Sequence, residues 1–316
     1  MVRSQGILAI VLAVALVLAG CGPKDTSADR NQSDAAAEQV VNVVARGLTF
    51  EAPSEILSGW TTFRFRNESP MVHFALIEKL PNGQGIESQQ RDAAPVFQEG
   101  MDLLNAGDAD AAMAKFGDVP AWFGHIVYLG GPGLTSPGHV SEATVKLKPG
   151  TYLLECYMKT NGVFHSYNPD STSYGMVHEF TVTADSSQQQ EPTAQIAVEV
   201  SSKTGFTMSG TPAAGRQTFS VTFVDQIAHE NFVGHDVHVA RLPEDANIDN
   251  LEQWMDWRQP GGLQTPSPVE FVGGLNEMPA GSHGYFTVNL EPGRYALVSE
   301  VPGIQAKGLL RTFMVK

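Results

Sequence analysis

Beyond its first forty residues the chain is almost wholly made of short runs in which apolar or β-branched residues alternate with polar ones, each run cut by a turn residue. Val40 to Ala45, Thr61 to Phe65, Val72 to Ile77, Thr144 to Leu147, Tyr152 to Cys156 and Val177 to Thr183 have this form. A second series follows: Ala197 to Val200, Thr218 to Phe223, Val237 to Ala240, Tyr285 to Leu290, Tyr295 to Val298 and Leu310 to Val315. A period of two predicts strands half-buried in a sandwich or barrel, and 31 Gly with 19 Pro supply the turns between them. Two stretches, Ala93 to Phe116 and Asn250 to Arg258, have helix-forming composition instead and are expected as helical excursions on the rim.

The two series are copies of one unit. Val127 to Cys156 aligns without a gap on Glu270 to Ser299, with identities at Gly130, Gly131, Gly138, Thr144, Val145, Leu147, Pro149, Gly150, Tyr152 and Leu154 of the first copy. His73 to Leu80 falls on His235 to Leu242, and Gly175 to Phe180 on Gly308 to Phe313. The expected fold is therefore all-β, two tandem Greek-key sandwiches over residues 40–185 and 194–316, joined by a linker over 186–193 (Ser-Ser-Gln-Gln-Gln-Glu-Pro-Thr). The recurring pairs Gly130-Gly131 and Gly273-Gly274 are expected as turns.

Ahead of the copies, Arg3 and the apolar run Ile7 to Leu18 read as an export signal over residues 1–20, too short for a confident membrane span. The run Leu18-Ala19-Gly20-Cys21 resembles the lipobox of bacterial lipoproteins. That resemblance implies cleavage before Cys21, lipid on its sulfur, and anchoring to a membrane of the cell envelope, in the periplasm or on the outer face. Residues 21–39 are polar enough to serve as a flexible tether. If Cys21 carries lipid, the exported chain keeps one thiol, Cys156, with no partner to form a disulfide.

Charge and motifs narrow the function. A formal net charge of −14 repels polyanions, so no nucleic-acid partner is expected. There is no G-x-S-x-G, no H-E-x-x-H and no phosphate-binding glycine loop leading into a helix, and no enzyme activity is expected. His125, His139, His229, His238 and His283 have no ligand spacing to one another and read as surface or internally satisfied histidines.

One set of residues does carry chemistry. In the first copy a Pro149-Gly150 turn leads to Tyr152 and Cys156, a loop with His165 follows, Gly175-Met176 opens the last strand, and His73 lies far upstream. This order resembles the cupredoxins, the blue copper family. The resemblance implies one mononuclear copper in the first copy, with His73, Cys156 and His165 as strong ligands and Met176 as the weak axial one. Met158 competes for the axial place and His178 for an imidazole place. The second copy has Ser299 and Leu309 where the first has Cys156 and Met176, and between them a shorter loop without His. It keeps His235 alone and is expected to bind no copper. Electron transfer with a redox partner protein is the implied function. Copper capture or delivery, and a metal-free module that presents loops to another envelope protein, are the alternatives.

Overall fold

The computed structural model describes residues 39–170 and 173–316; the export signal, Cys21 and nearly all of the tether lie outside these residues. It is mostly strand, as the alternation predicts. The first copy contains β1 (Val40–Arg46), β2 (Thr49–Glu51), β3 (Glu55–Asn67), β4 (Leu76–Lys79), β5 (Val127–Tyr128), β6 (Val140–Leu147), β7 (Gly150–Glu155), a hairpin of β8 (Lys159–Thr160) and β9 (Val163–Phe164), and β10 (Val177–Ser186). The second contains β11 (Ile196–Ser201), β12 (Gly205–Ser209), β13 (Gly215–Phe223), β14 (Val237–Leu242), β15 (Glu270–Leu275), β16 (His283–Leu290), β17 (Gly293–Val298) and β18 (Leu310–Val315). Each copy packs one sheet (β2-β1-β3-β6; β12-β11-β13-β16) on another (β10-β7-β4-β5; β18-β17-β14-β15). Alternate residues fill the space between: Phe63, Phe65, Val145 and Tyr152 in one copy, Phe219, Val221, Phe286 and Tyr295 in the other.

The shared Pro-Gly-x-Tyr run has the same job twice. The Tyr152 hydroxyl donates to the Lys148 carbonyl at 2.6 Å and the Tyr295 hydroxyl to the Glu291 carbonyl at 3.0 Å, tying each ring over its own turn. The rings then stack on Phe180 and Phe313 of the closing strands. Of the helical excursions, α1 (Ile86–Ser88) and a π-helical turn over Gln89–Ala93 begin the first earlier than composition places it, while α2 (Ala94–Asn105) and α3 (Ala109–Phe116) fall within the expected stretch and α4 (Ile248–Met255) overlaps the second. Among the described residues no helix is long and apolar enough to cross a membrane.

One expected strand changes. The strand expected over Val72 to Ile77 begins only at Leu76, because Asn67 and Ser69 turn the chain and leave His73 a single bridge to Thr135. The copies also pair directly with one another. β6 pairs antiparallel with its counterpart β16, so that the equivalent residues Ala143 and Phe286 face each other. Beside them, residues 130–136 pair antiparallel with 271–277, and the equivalent residues Pro132 and Leu275 are opposed. Both pairings centre on equivalent residues, so the copies are related by an approximate two-fold axis. The linker is pinned as well: Ser187 Oγ donates to the Trp60 carbonyl, Gln189 Nε2 to Thr62 Oγ1, and Glu191 accepts from Tyr285 and His283.

A close approach of two segments within each copy, rather than a turn, explains Gly131 and Gly274. A Cβ on Gly131 would lie 2.1 Å from the Ala75 carbonyl oxygen, and one on Gly274 would lie 2.1 Å from that of Val237, the equivalent residue. Both glycines also have positive φ, 101° and 147°. Gly131→Ala or Gly274→Ala should therefore cost about 3 kcal/mol or more, against about 1 for Gly138→Ala, whose positive φ lies in open space. Denaturant unfolding checks this, and equal costs at the three positions would contradict the close-approach account.

Candidate metal centre

Cys156 directly follows β7, the strand held between β4 and β10, so its sulfur points from the end of a fixed central strand. The loop after it is folded back by the β8–β9 hairpin, whose turn residues Asn161 and Gly162 both have positive φ. That reversal sets the His165 N–H on the Met158 carbonyl at 2.7 Å. Met176 then closes the arrangement: its N–H donates to the His165 carbonyl at 2.6 Å, and its carbonyl accepts from the Cys156 N–H at 3.1 Å. Gly175 makes the approach possible, since a Cβ there would lie 2.2 Å from the Ser166 carbonyl oxygen.

His73 lies on the segment leading into β4, the strand that pairs with β7. Its Nδ1 is 3.5 Å from Cys156 Sγ, and that of His165 is 4.0 Å away. The ligating atoms of all three lie within 4.8 Å of one another. Each imidazole is fixed through its other nitrogen. His73 Nε2 meets Ser69 Oγ at 2.9 Å and His165 Nε2 meets Thr160 Oγ1 at 2.8 Å, which leaves both Nδ1 atoms facing the sulfur. Asn67 steadies the first of these anchors by accepting from the Ser69 N–H at 3.0 Å. Ser69, Thr160 and Asn67 escape sequence reading, since isolated hydroxyls and amides in loops have no spacing signal; the nearness of Ser69 to His73 and of Thr160 to His165 in the chain is the only hint.

The second copy and the helices hold the hairpin from behind. Gln98 of α2 accepts from the Phe164 N–H and donates to the Gly162 carbonyl. Buried Lys159 donates to the carbonyls of Trp257 at 2.6 Å and Gln259 at 2.9 Å, and its backbone N–H reaches the Leu263 carbonyl.

Burial sets the charges. The Cys156 thiol is pushed up to about 12 by burial, against the opposing pull of hydrogen bonds from the Phe74 and Met158 backbone. Burial lowers His73 to about 3, with the neighbouring His165 adding to the effect, and lowers His165 to about 4. At neutral pH the centre thus offers two neutral imidazoles and one thiol. This donor set, with a thioether residue strapped to two of its members, fits copper.

Of the competing residues, His178 is turned away, with Nε2 on the Pro53 carbonyl. Met158 is buried and contributes its carbonyl to His165. In the second copy, register confirms the equivalences: Leu310 pairs with Val298 as Val177 pairs with Glu155, which places Leu309 and Ser299 at the Met176 and Cys156 positions. His235 is buried there with Nε2 unpartnered. His238 is fully buried and internally satisfied, with Nδ1 accepting from the Leu134 N–H and Nε2 against Asp236 Oδ2.

No protein-family model and no curated protein sequence matches the chain. Among solved structures it is similar to auracyanin A, a blue copper protein from Chloroflexus aurantiacus, at 21% identity over 46% of this chain and 100% of that one, with a TM-score of 0.25. It is similar to reduced auracyanin from Roseiflexus castenholzii at 20% identity, over 46% and 98% of the two chains, with a TM-score of 0.25. A copper-containing nitrite reductase from Thermus scotoductus aligns over 89% of this chain and 62% of its own at 13% identity, with a TM-score of 0.24.

The charge states fix how metal loading responds to pH. Both imidazoles are already unprotonated above about pH 5, whereas the thiol, far below its pKa, must release its proton when metal binds. Between pH 6 and 8 the apparent affinity of the metal-free chain for copper should rise about tenfold per pH unit, the signature of one proton released. Competition titrations against a chelator of known affinity measure the slope, and a slope near zero or near three would contradict these protonation states.

Proposed function

We propose that the first copy holds one copper ion between His73, Cys156 and His165, with Met176 as axial ligand, and that the chain passes electrons at the cell envelope while tethered by lipid on Cys21. The observation that carries this reading is the convergence of two Nδ1 atoms on the one thiol of residues 39–316, each imidazole held from behind by a hydroxyl. When bound, copper would supply a one-electron couple between its two oxidation states.

The chain's own residues serve that use in three ways. Cys156, Met176 and His73 are fully buried and His165 nearly so, which keeps water from the ligands. The strap through Met176 fixes Cys156 and His165 to each other, so that little has to move between oxidation states. The half-buried Thr160 hydroxyl contacts both His165 Nε2 at 2.8 Å and the half-buried Met71 Sδ at 3.2 Å, which links the imidazole toward the surface. A redox partner would dock there. The second copy keeps only His235 at the four ligand positions and serves as scaffold, as its grip on the β8–β9 hairpin through Lys159 suggests.

Cys156→Ser should abolish the intense visible absorption expected of a copper thiolate while leaving the fold intact. Met176→Leu should keep the colour and shift the reduction potential, because the axial bond is weak. Absorption spectra and redox titration check both, and a wild-type chain that stays colourless with copper would overturn the reading. Intact mass of the exported protein tests the anchor separately; an unmodified Cys21 would remove it.

A further inference from the structure

The strand pattern of β4 and β7 turns two carboxyl groups out of the first sandwich. Ile77 and Leu154, paired across the two strands, point into the core, so their neighbours Glu78 and Glu155 point to the opposite face. That face would ordinarily meet water, but the helical excursion and loops of the second copy close over it, leaving Glu78 3% and Glu155 9% exposed. Under this cover lies a cavity of about 90 Å³, to which the second copy adds a third acid, Glu277. Its apolar wall is a run of rings in mutual contact: Phe123 on Phe97, Phe97 on Trp257 and Trp257 on Phe164, with centres 5.2, 6.2 and 5.6 Å apart. Phe232, 47% exposed, marks where the cavity reaches the surface.

The three acids are short of donors. Glu155 accepts from Gln89 Nε2 at 3.2 Å and from the Ser166 hydroxyl, and Glu277 accepts from the Gly234 N–H. Glu78 has a second acid, Glu155, as its polar neighbour, and its buried Oε2 receives no hydrogen bond from any donor of the described residues. Among those residues no Lys or Arg lies close enough to offset any of the three. Burial raises Glu78 well above the ordinary carboxylate range, with Glu155 and Glu277 adding to the effect, and burial raises Glu277 to about 8. Acids buried against one another hold protons unless a cation takes the protons' place.

The internal repeat shows that the fold does not require them. Glu78 and Glu155 correspond to Ala240 and Val298, both fully buried, so in the second copy the same covered face is apolar. Acids buried at a cost in one copy only, around a cavity, point to a ligand. Among the described residues the three do not bring one oxygen each within 4.8 Å of one another, a spread too wide for all three to share one metal ion. It suits a larger cation, whose N–H groups reach separate acceptors while its carbon atoms lie against the rings.

We propose that this cavity binds a small alkylammonium ion, its N–H groups donating to Glu78, Glu155 and Glu277 and its carbon atoms resting on the wall formed by Phe97 and Trp257. The site lies outside the thiolate centre and does not depend on the copper reading.

Isothermal titration calorimetry of the full chain with ethylammonium tests it, at about pH 9, where Glu277 is ionised and the amine keeps its proton. The wild-type chain should bind one ethylammonium, and should bind ethanol, uncharged and of nearly the same size, at least about tenfold more weakly. Glu277→Gln should weaken ethylammonium about tenfold, the loss of one charge-assisted contact, and Glu78→Ala, which installs the residue of the second copy, at least as much. Both variants should unfold near the wild-type temperature, since each removes a buried acid, so that lost binding is not lost folding. A wild-type chain that binds no ethylammonium or binds ethanol equally, or folded variants that bind as the wild type does, would overturn the proposal. The titration runs alike on metal-free and copper-loaded protein, so failure of the copper reading and failure of this one remain distinct.

Discussion

Two backbone hydrogen bonds, from Met176 to His165 and from Cys156 to Met176, tie three of the candidate ligands into one unit before any metal is considered. Side chains at the tip of a loop are ordinarily free to sample many rotamers, and ordering them on binding costs free energy. Here the backbone that carries them is fixed at both ends, by a central strand before Cys156 and by β10 after Met176. The surrounding structure then keeps the strap in place: α2 holds the hairpin through Gln98, and the second copy holds it through the carbonyls that receive Lys159.

The pairing of the copies about an approximate two-fold axis gives the second one a purpose even without a thiolate. By joining β6 to β16 it covers two sheet edges that would otherwise be open to aggregation. It also presses together faces that an isolated sandwich would leave in water. On one side of that face the chain places Phe74, Leu76 and Tyr157, and on the other Asp236, His238 and Glu300. The two copies thus differ in two places: Ser299 and Leu309 stand where the first has Cys156 and Met176, and Asp236, His238 and Glu300 where the first has Phe74, Leu76 and Tyr157.

Much of this was legible in the sequence for definite physical reasons. Alternation marks strands because successive side chains point to opposite faces, and the gap-free repeat from Val127 to Cys156 marks two copies because turn glycines and strand lengths must recur together. The ligand set was legible because thiol, imidazole and thioether residues are few and occur in one order. What was hidden depends on contacts between distant segments. The strap through Met176, the anchors Ser69 and Thr160, and the close approaches within each copy that demand Gly131 and Gly274 involve no local pattern.

The central claim is that His73, Cys156 and His165 form one preorganised metal centre in the first copy. X-ray absorption spectroscopy at the copper edge, on protein loaded with a single equivalent of copper, tests it most directly. The account predicts one sulfur and two imidazole nitrogens as the close ligands, with the sulfur lost in Cys156→Ser; a copper surrounded only by nitrogen and oxygen in the wild-type chain would contradict it.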